Sequence, residues 1–286
     1  VPLIGVGTLD DEFTDVFEQG SGKKVDVLFV IDDSGSMSEE QKNLSNNFKD
    51  FLVIADIWKN EYHLGVVSTD MEAGNKTGKL QEKSGVRIVT PKTPNPTGTF
   101  QSIANLGSNG SGDEQGLAAA FAALTAPLIT DTKVTCKTDK DCTAPSTCVK
   151  NADDGTLACG GFNRTFMRKN AGLEVVILSD EEDSSPSDVS FYVNALQALK
   201  GPANKNLFHL HSIVGPKGGC KGAGGDAAPG NRYLAVSAAT GGKTASICDT
   251  TFAQVLKDIG QVAFGLAAQF FLTRNPVPNT IAVTVA

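Results

Sequence analysis

The chain is predicted to fold as an α/β protein with a doubly wound, mostly parallel central sheet and helices on both faces. Three observations point there. Apolar runs of strand length, such as VDVLFVI and LEVVILS, are bounded by turn residues and do not alternate with polar ones, as expected of strands buried on both faces. Segments with helical periodicity fall between these runs. The polar residues concentrate just after the apolar runs, where open α/β sheets carry their sites.

The elements follow in order. Residues 1–20 read as an acidic, irregular arm. VDVLFVI (25–31) is the first strand. Ser38 and Gln41 form a capping-box pattern, SEEQ, that starts a helix. Leu44, Phe48, Phe51, Leu52, Ala55 and Trp58 then recur at helical spacing. YHLGVVST (62–69) is a second strand. Residues 70–112 are long, polar and rich in Gly and Pro, with one short strand expected near Val86–Val89. DEQGLAAAFAALTA (113–126) is a helix. LEVVILSD (173–180) is a strand, SDVSFYVNALQALK (187–200) its helix, and NLFHLHSIVG (206–215) the next strand. The run GPKGGCKGAGGDAAPG reads as a flexible loop. NRYLAVSAATGG is a short helix with a Gly stop, KTASIC a last strand, and Phe252 to Phe270 an amphipathic closing helix. Residues 274–286 read as a linker and the start of a further strand or domain. The main domain is thus expected over 21–273.

Six cysteines are present. Cys136, Cys142, Cys148 and Cys159 crowd a polar insert (131–163) too poor in aliphatic residues to hold itself by core burial. Gaps of five, five and ten residues lack the tight CxxC-like pair of zinc sites, so two disulfides are expected there. Their pairing cannot be deduced from spacing. Cys220 and Cys248 form a third bridge. Disulfides place the protein in an oxidising compartment, outside the cell or at its surface.

Net charge of −7 and a pI near 5.0 argue against nucleic acid or an anionic membrane as partner. No apolar run is long enough to span a membrane, and no signal-peptide pattern is read, so the chain is expected to be cytosolic or already processed. Residue 1 is not a lipidatable cysteine, so any anchor would lie outside this sequence.

Asp32, Ser34 and Ser36 follow the first strand, Asp180 follows LEVVILS, and the loop SNGSGDEQGL brings Ser108 and Ser111 to a helix start. Three loops from one sheet edge would converge hydroxyls and carboxylates, without thiolate or imidazole. Those are ligands for a hard divalent cation: magnesium, with manganese or calcium as alternatives. Asp70, Glu181 and Asp183 could bind a second cation or tune the first, although solvated loop acids are the plainer reading. His209 and His211 share a strand face and read as a hydrogen-bonded structural pair, as does His63 as a single residue. ATGGKT (239–244) lacks the glycine spacing of a phosphate loop. No Ser-His-Asp set, nucleophile elbow or Asp-x-Asp phosphatase motif is present, so the chain is expected not to be an enzyme.

Asp-x-Ser-x-Ser after a hydrophobic strand, here DDSGS, resembles the signature of the von Willebrand factor A (VWA) domain and its metal-ion-dependent adhesion site (MIDAS). The resemblance covers residues 22–273 apart from the insert. DDSGSMSEEQ, GVVSTD (65–70) and SDEED (179–183) are similar to secreted or surface-anchored bacterial members. It implies a Rossmann-like VWA fold and a cation held by Asp32, Ser34, Ser36, Ser111 and Asp180. Ser111 stands five residues before Gly116, as the family's Thr does, with Ser108 as competitor. The implied function is adhesion: the cation coordinates an Asp or Glu carboxylate of a protein partner. The alternative is a structural subunit of a surface filament or lattice that self-assembles through the same domain.

Overall fold

The computed structural model describes residues 23–74, 76–222, 224–265 and 282. The arm at 1–20, the segment 274–286 as a strand start and the closing helix past residue 265 lie outside the described residues.

Residues 21–265 form one compact unit. Along it run β1 (Lys24–Ile31), α1 (Ser38–Ile57), β2 (Glu61–Ser68), α2 (Pro96–Ala104) and α3 (Gly116–Leu124). Then come β3 (Asp131–Thr135), β4 (Thr147–Lys150), β5 (Leu157–Gly160), β6 (Gly172–Ser179), α4 (Val189–Ala198) and β7 (Phe208–Val214). β8 (Cys220–Gly222), β9 (Gly225–Ala227), α5 (Asn231–Thr240), β10 (Thr244–Ser246) and α6 (Ala253–Phe264) complete it. Five strands form the central sheet in the order β10-β7-β6-β1-β2, and every pairing in it is parallel. The chain winds from β1 out to β2, then returns to β6 on the other side of β1. That reversal is the switch point at which doubly wound sheets open a crevice.

The unbroken apolar runs are explained by burial on both sheet faces. In β1, Val25, Val27, Phe29 and Ile31 face a core shared with α1, α2 and α6; Leu28 and Val30 face the core under α3, α4 and α5. On the first face Phe48 stacks on Phe100 at 3.6 Å between ring centroids, and Phe29 meets Phe100 edge-on at 4.8 Å.

Several expectations need correction. The capping box does not form: Met37 precedes α1 without a side-chain cap. Gln41 instead turns inward, and its Nε2 donates to the carbonyls of Asp32 (2.8 Å) and Gly107 (2.9 Å). Val86–Val89 makes only isolated bridges, Leu64 with Val89 and Lys83 with Val86. The polar stretch before α3 holds α2, whose Asn95 cap accepts from Gly98 N and whose first residue is Pro96. The Gly-rich run is not simply a loop: β8 and β9 make an antiparallel hairpin.

The cysteines pair as Cys136–Cys148, Cys142–Cys159 and Cys220–Cys248. Cross-linked this way, the insert forms a small three-stranded sheet, β3-β5-β4. Arg164 ties it down, with Nε on Asp131 (2.8 Å) and Nη1 on the Val149 carbonyl (2.9 Å). Asn163, which begins an Asn-x-Thr triplet, is fully buried and bonded to Leu80, Gly78 and Ala123, so no glycan can reach it.

Candidate metal centre

Asp32 extends the sheet by one residue. Its N–H donates to the Leu178 carbonyl at 2.9 Å, which holds it beside the end of β6. Its Oδ1 accepts from Ser34 N (2.8 Å) and its Oδ2 from the Ser179 hydroxyl (2.7 Å). Burial pushes this carboxyl above its ordinary range; the Ser34 and Ser179 bonds oppose the shift and the charge of Asp180 adds to it. The Ser34 and Ser36 hydroxyls lie 3.3 Å apart. Ser34 is buried and Ser36 exposed, so the pair runs from the floor of the site to its rim.

Asp180 follows β6 directly. Its carbonyl accepts from Ala228 N (2.8 Å), while its buried Oδ1 has no hydrogen-bond partner. The acids after it divide their roles. Glu181 is partly buried, and burial together with Asp180 raises its carboxyl. Glu182 caps α5 by accepting from the N–H groups of Asn231 and Arg232. Asp183 accepts from Leu117 N (3.1 Å) at the start of α3 and from Arg232 Nε (2.9 Å). Asp183 is therefore committed to a helix terminus and an arginine.

The third loop approaches closely at Gly110, whose N–H donates to the Asp33 carbonyl at 2.6 Å. A Cβ there would stand 2.3 Å from Asp33 Oδ1, so only glycine fits. Ser111 is not joined to the Asp32 group. Its hydroxyl donates to Glu72 (3.1 Å) and its N–H to Asp70 (3.3 Å). Ser108 is partly exposed. Asp70 is neutralised by Lys76 at 2.9 Å; burial pushes its carboxyl up, but Lys76 and three N–H donors outweigh that and bring it down to about 2. Asp33 shares Lys76 at 2.6 Å and takes the Ser68 hydroxyl.

Two acids absent from the sequence reading stand here. Glu40, in the first turn of α1, is 4% exposed and has a partnerless Oε2. Burial pushes it up, with Asp180 the strongest neighbouring charge. Its signal was in the sequence: Glu40, Leu44 and Phe48 form one i, i+4 stripe, which puts an acid on the apolar face of α1. Glu114 is 1% exposed; Thr69 donates to its Oε2, and its Oε1 has no partner. No periodicity marks a loop residue like this one.

Buried carboxylate oxygens without donors are costly. Among the described residues, Glu40, Glu114 and Asp180 carry three such oxygens. A donor set of hydroxyl and carboxylate oxygens matches a hard divalent cation, so these residues fit one. Among the described residues, the sulfurs of Cys136, Cys142 and Cys159 are the only three or more Cys, His, Asp or Glu ligand atoms that lie within 4.8 Å of one another, and they are oxidised in disulfides and offer no thiolate. His209 and His211 both bond Glu174, and His63 bonds the Phe166 carbonyl and Asp153.

No family model matches the chain, and no curated protein does. Among solved structures, two of proximal thread matrix protein 1 from the mussel byssus are similar at 11% identity, with TM-scores of 0.44 and 0.42. Each alignment covers 86% of this chain, which spans about half the length of those proteins (49% and 47%). A likeness of that size does not carry a function across.

Proposed function

We propose that this chain is an extracellular, non-enzymatic adhesion domain of the von Willebrand factor A type that engages a carboxylate of a protein partner through a divalent cation. The single observation that supports this most is the Ser34–Ser36 hydroxyl pair following Asp32 at the switch point, with Asp180, at the end of the neighbouring strand, holding a buried oxygen with no donor. Ser34, Ser36, Asp32 and Asp180 would hold the ion, magnesium first, with manganese or calcium as alternatives. Bound there, the ion would supply a positive centre for an incoming Asp or Glu.

The chain's own residues prepare the place. Ser179 and the Ser34 N–H fix the Asp32 carboxylate, and Gln41 fixes its backbone. Ser36 stands at the rim, where a partner's side chain can reach. Three disulfides support an oxidising compartment. No helix among the described residues is long and apolar enough to cross a membrane.

Calorimetric titration of the chain with Mg²⁺, Mn²⁺ and Ca²⁺, alongside Asp180→Ala, tests the reading. Saturable binding that is lost in the variant is expected. Unchanged binding by a folded Asp180→Ala protein would overturn it. Size-exclusion chromatography with and without chelator then separates a monomeric adhesin from an assembling subunit.

A further inference from the structure

Glu114 is held between the loops that leave β2 and β6. On one side Glu114 bridges to Asp70, and the next N–H, of Gln115, donates to the Thr69 carbonyl at 3.1 Å, just past β2. On the other side the Glu114 carbonyl accepts from Ser184 N at 2.7 Å, in the loop after β6. β2 and β6 are the two neighbours of β1 in the sheet. Glu114 is thus tied to the loops that leave both neighbours of β1, the strand that Asp32 follows. Its side chain is buried, one oxygen takes the Thr69 hydroxyl, and the other meets no donor. Asp32 is the neighbouring charge that bears on it most, followed by Glu181 and Asp33.

The serines of the same loop are placed differently. Ser111 spends its hydroxyl on Glu72 and its N–H on Asp70, and Asp70 is itself held by Lys76. We infer that Glu114, and not a serine hydroxyl, is the donor that the third loop presents to the cation. The inference rests on the reading of a cation held at these strand ends.

The chemistry of the centre changes with that substitution of donors. A hydroxyl leaves the charge of the ion untouched, whereas a carboxylate cancels part of it. A centre with Glu114 grips its ion more firmly and pulls less strongly on an outside carboxylate. It also joins the loops after β1 and β6 to the loop before α3 through one ion, so loading should stiffen that whole edge.

The test is titration of the full chain with Mn²⁺ alone, in four proteins: native, Glu114→Gln, Ser111→Ala and Asp180→Ala, each with its metal-free thermal unfolding. Glu114→Gln keeps the shape and an acceptor for Thr69. It should weaken Mn²⁺ binding about tenfold or more, since altering even a residue that only supports a metal ligand costs about that much, while Ser111→Ala stays within about twofold of native. Native-like affinity in Glu114→Gln, or a loss confined to Ser111→Ala, overturns the inference and leaves Glu114 a buried acid held by Thr69. If native protein fails to bind, or Asp180→Ala binds as native does, the centre itself is refuted and this inference falls with it. Should Glu114→Gln not fold, Glu114→Asp keeps the charge and retracts it by one methylene; it must also weaken binding, and native affinity there overturns the inference equally.

Discussion

The two edges of the central sheet carry buried acids in matching positions, and they treat them in opposite ways. Near the N-terminal ends of the strands, Asp26 in β1 accepts from Arg168 through both N (2.6 Å) and Nε (2.7 Å), with His63 at 3.8 Å. Beside it, Glu174 in β6 takes His209 at 3.1 Å and His211 at 2.9 Å. Burial pushes Glu174 up, but the two imidazoles outweigh it and hold it below the ordinary range. At the C-terminal ends, Asp32 follows the same β1 and Asp180 the same β6. There Asp180, Glu114 and Glu40 each leave an oxygen without a partner, and no lysine, arginine or histidine pairs with any of the three among the described residues. Buried charge that is paired is a structural element; buried charge left open is, on the proposed reading, free to meet a cation.

The comparison can be broken or sharpened by experiment. The largest effect is expected at the paired edge. Arg168→Met should strand Asp26 as an uncompensated buried charge and cost about 3–5 kcal/mol in chemical denaturation. At the open edge, a divalent cation at a hundredfold excess over its Kd should stabilise the native protein by about 2.7 kcal/mol, read as a rise in Tm that chelator reverses. Asp180→Asn should do the reverse of what deleting a paired charge does. It should raise metal-free stability, by about 1 kcal/mol, because a repulsion with Asp32 disappears, and it should abolish the cation-induced rise in Tm.

The smallest effect is in acid, on the insert. Burial pushes Asp131 up, but Lys133 and Arg164 overcome this and hold its carboxyl down to about 2. Its folded pKa lies below the unfolded one, so its contribution is present above about pH 4 and is lost as the pH falls towards 2. Asp131→Asn should flatten that part of the acid unfolding curve and leave neutral-pH cation binding unchanged.

Much of the scaffold was legible because burial on two faces leaves an unbroken apolar run. VDVLFVI and LEVVILS could be little else, and both are central strands. Cys220 and Cys248 stood apart from the crowded four and pair with each other. The pairing within the insert was not legible, because four cysteines at similar spacing allow three connectivities. α2 is not legible, although Asn95 and Pro96 make a helix start, since its surroundings read as a Gly- and Pro-rich loop. The capping pattern at Ser38 misled for a tertiary reason: Gln41 gains more by satisfying the carbonyls of Asp32 and Gly107 than by folding back on its own helix.

The sequence by itself determined the doubly wound class, the strand ends at which Asp32, Ser34, Ser36 and Asp180 stand, and the chemistry those oxygens share. Local pattern was enough there, because each of these residues sits beside a strand that its own apolar run defines. Only the tertiary structure decided what each acid does. Asp70, Glu182 and Asp183 look like Asp180 in sequence, yet they are taken by Lys76, the start of α5, and the start of α3 with Arg232. Glu40 and Glu114 are each buried with one oxygen left without a donor. Whether a carboxylate is spent or left open depends on donors that arrive from distant parts of the chain, and no local pattern records their arrival.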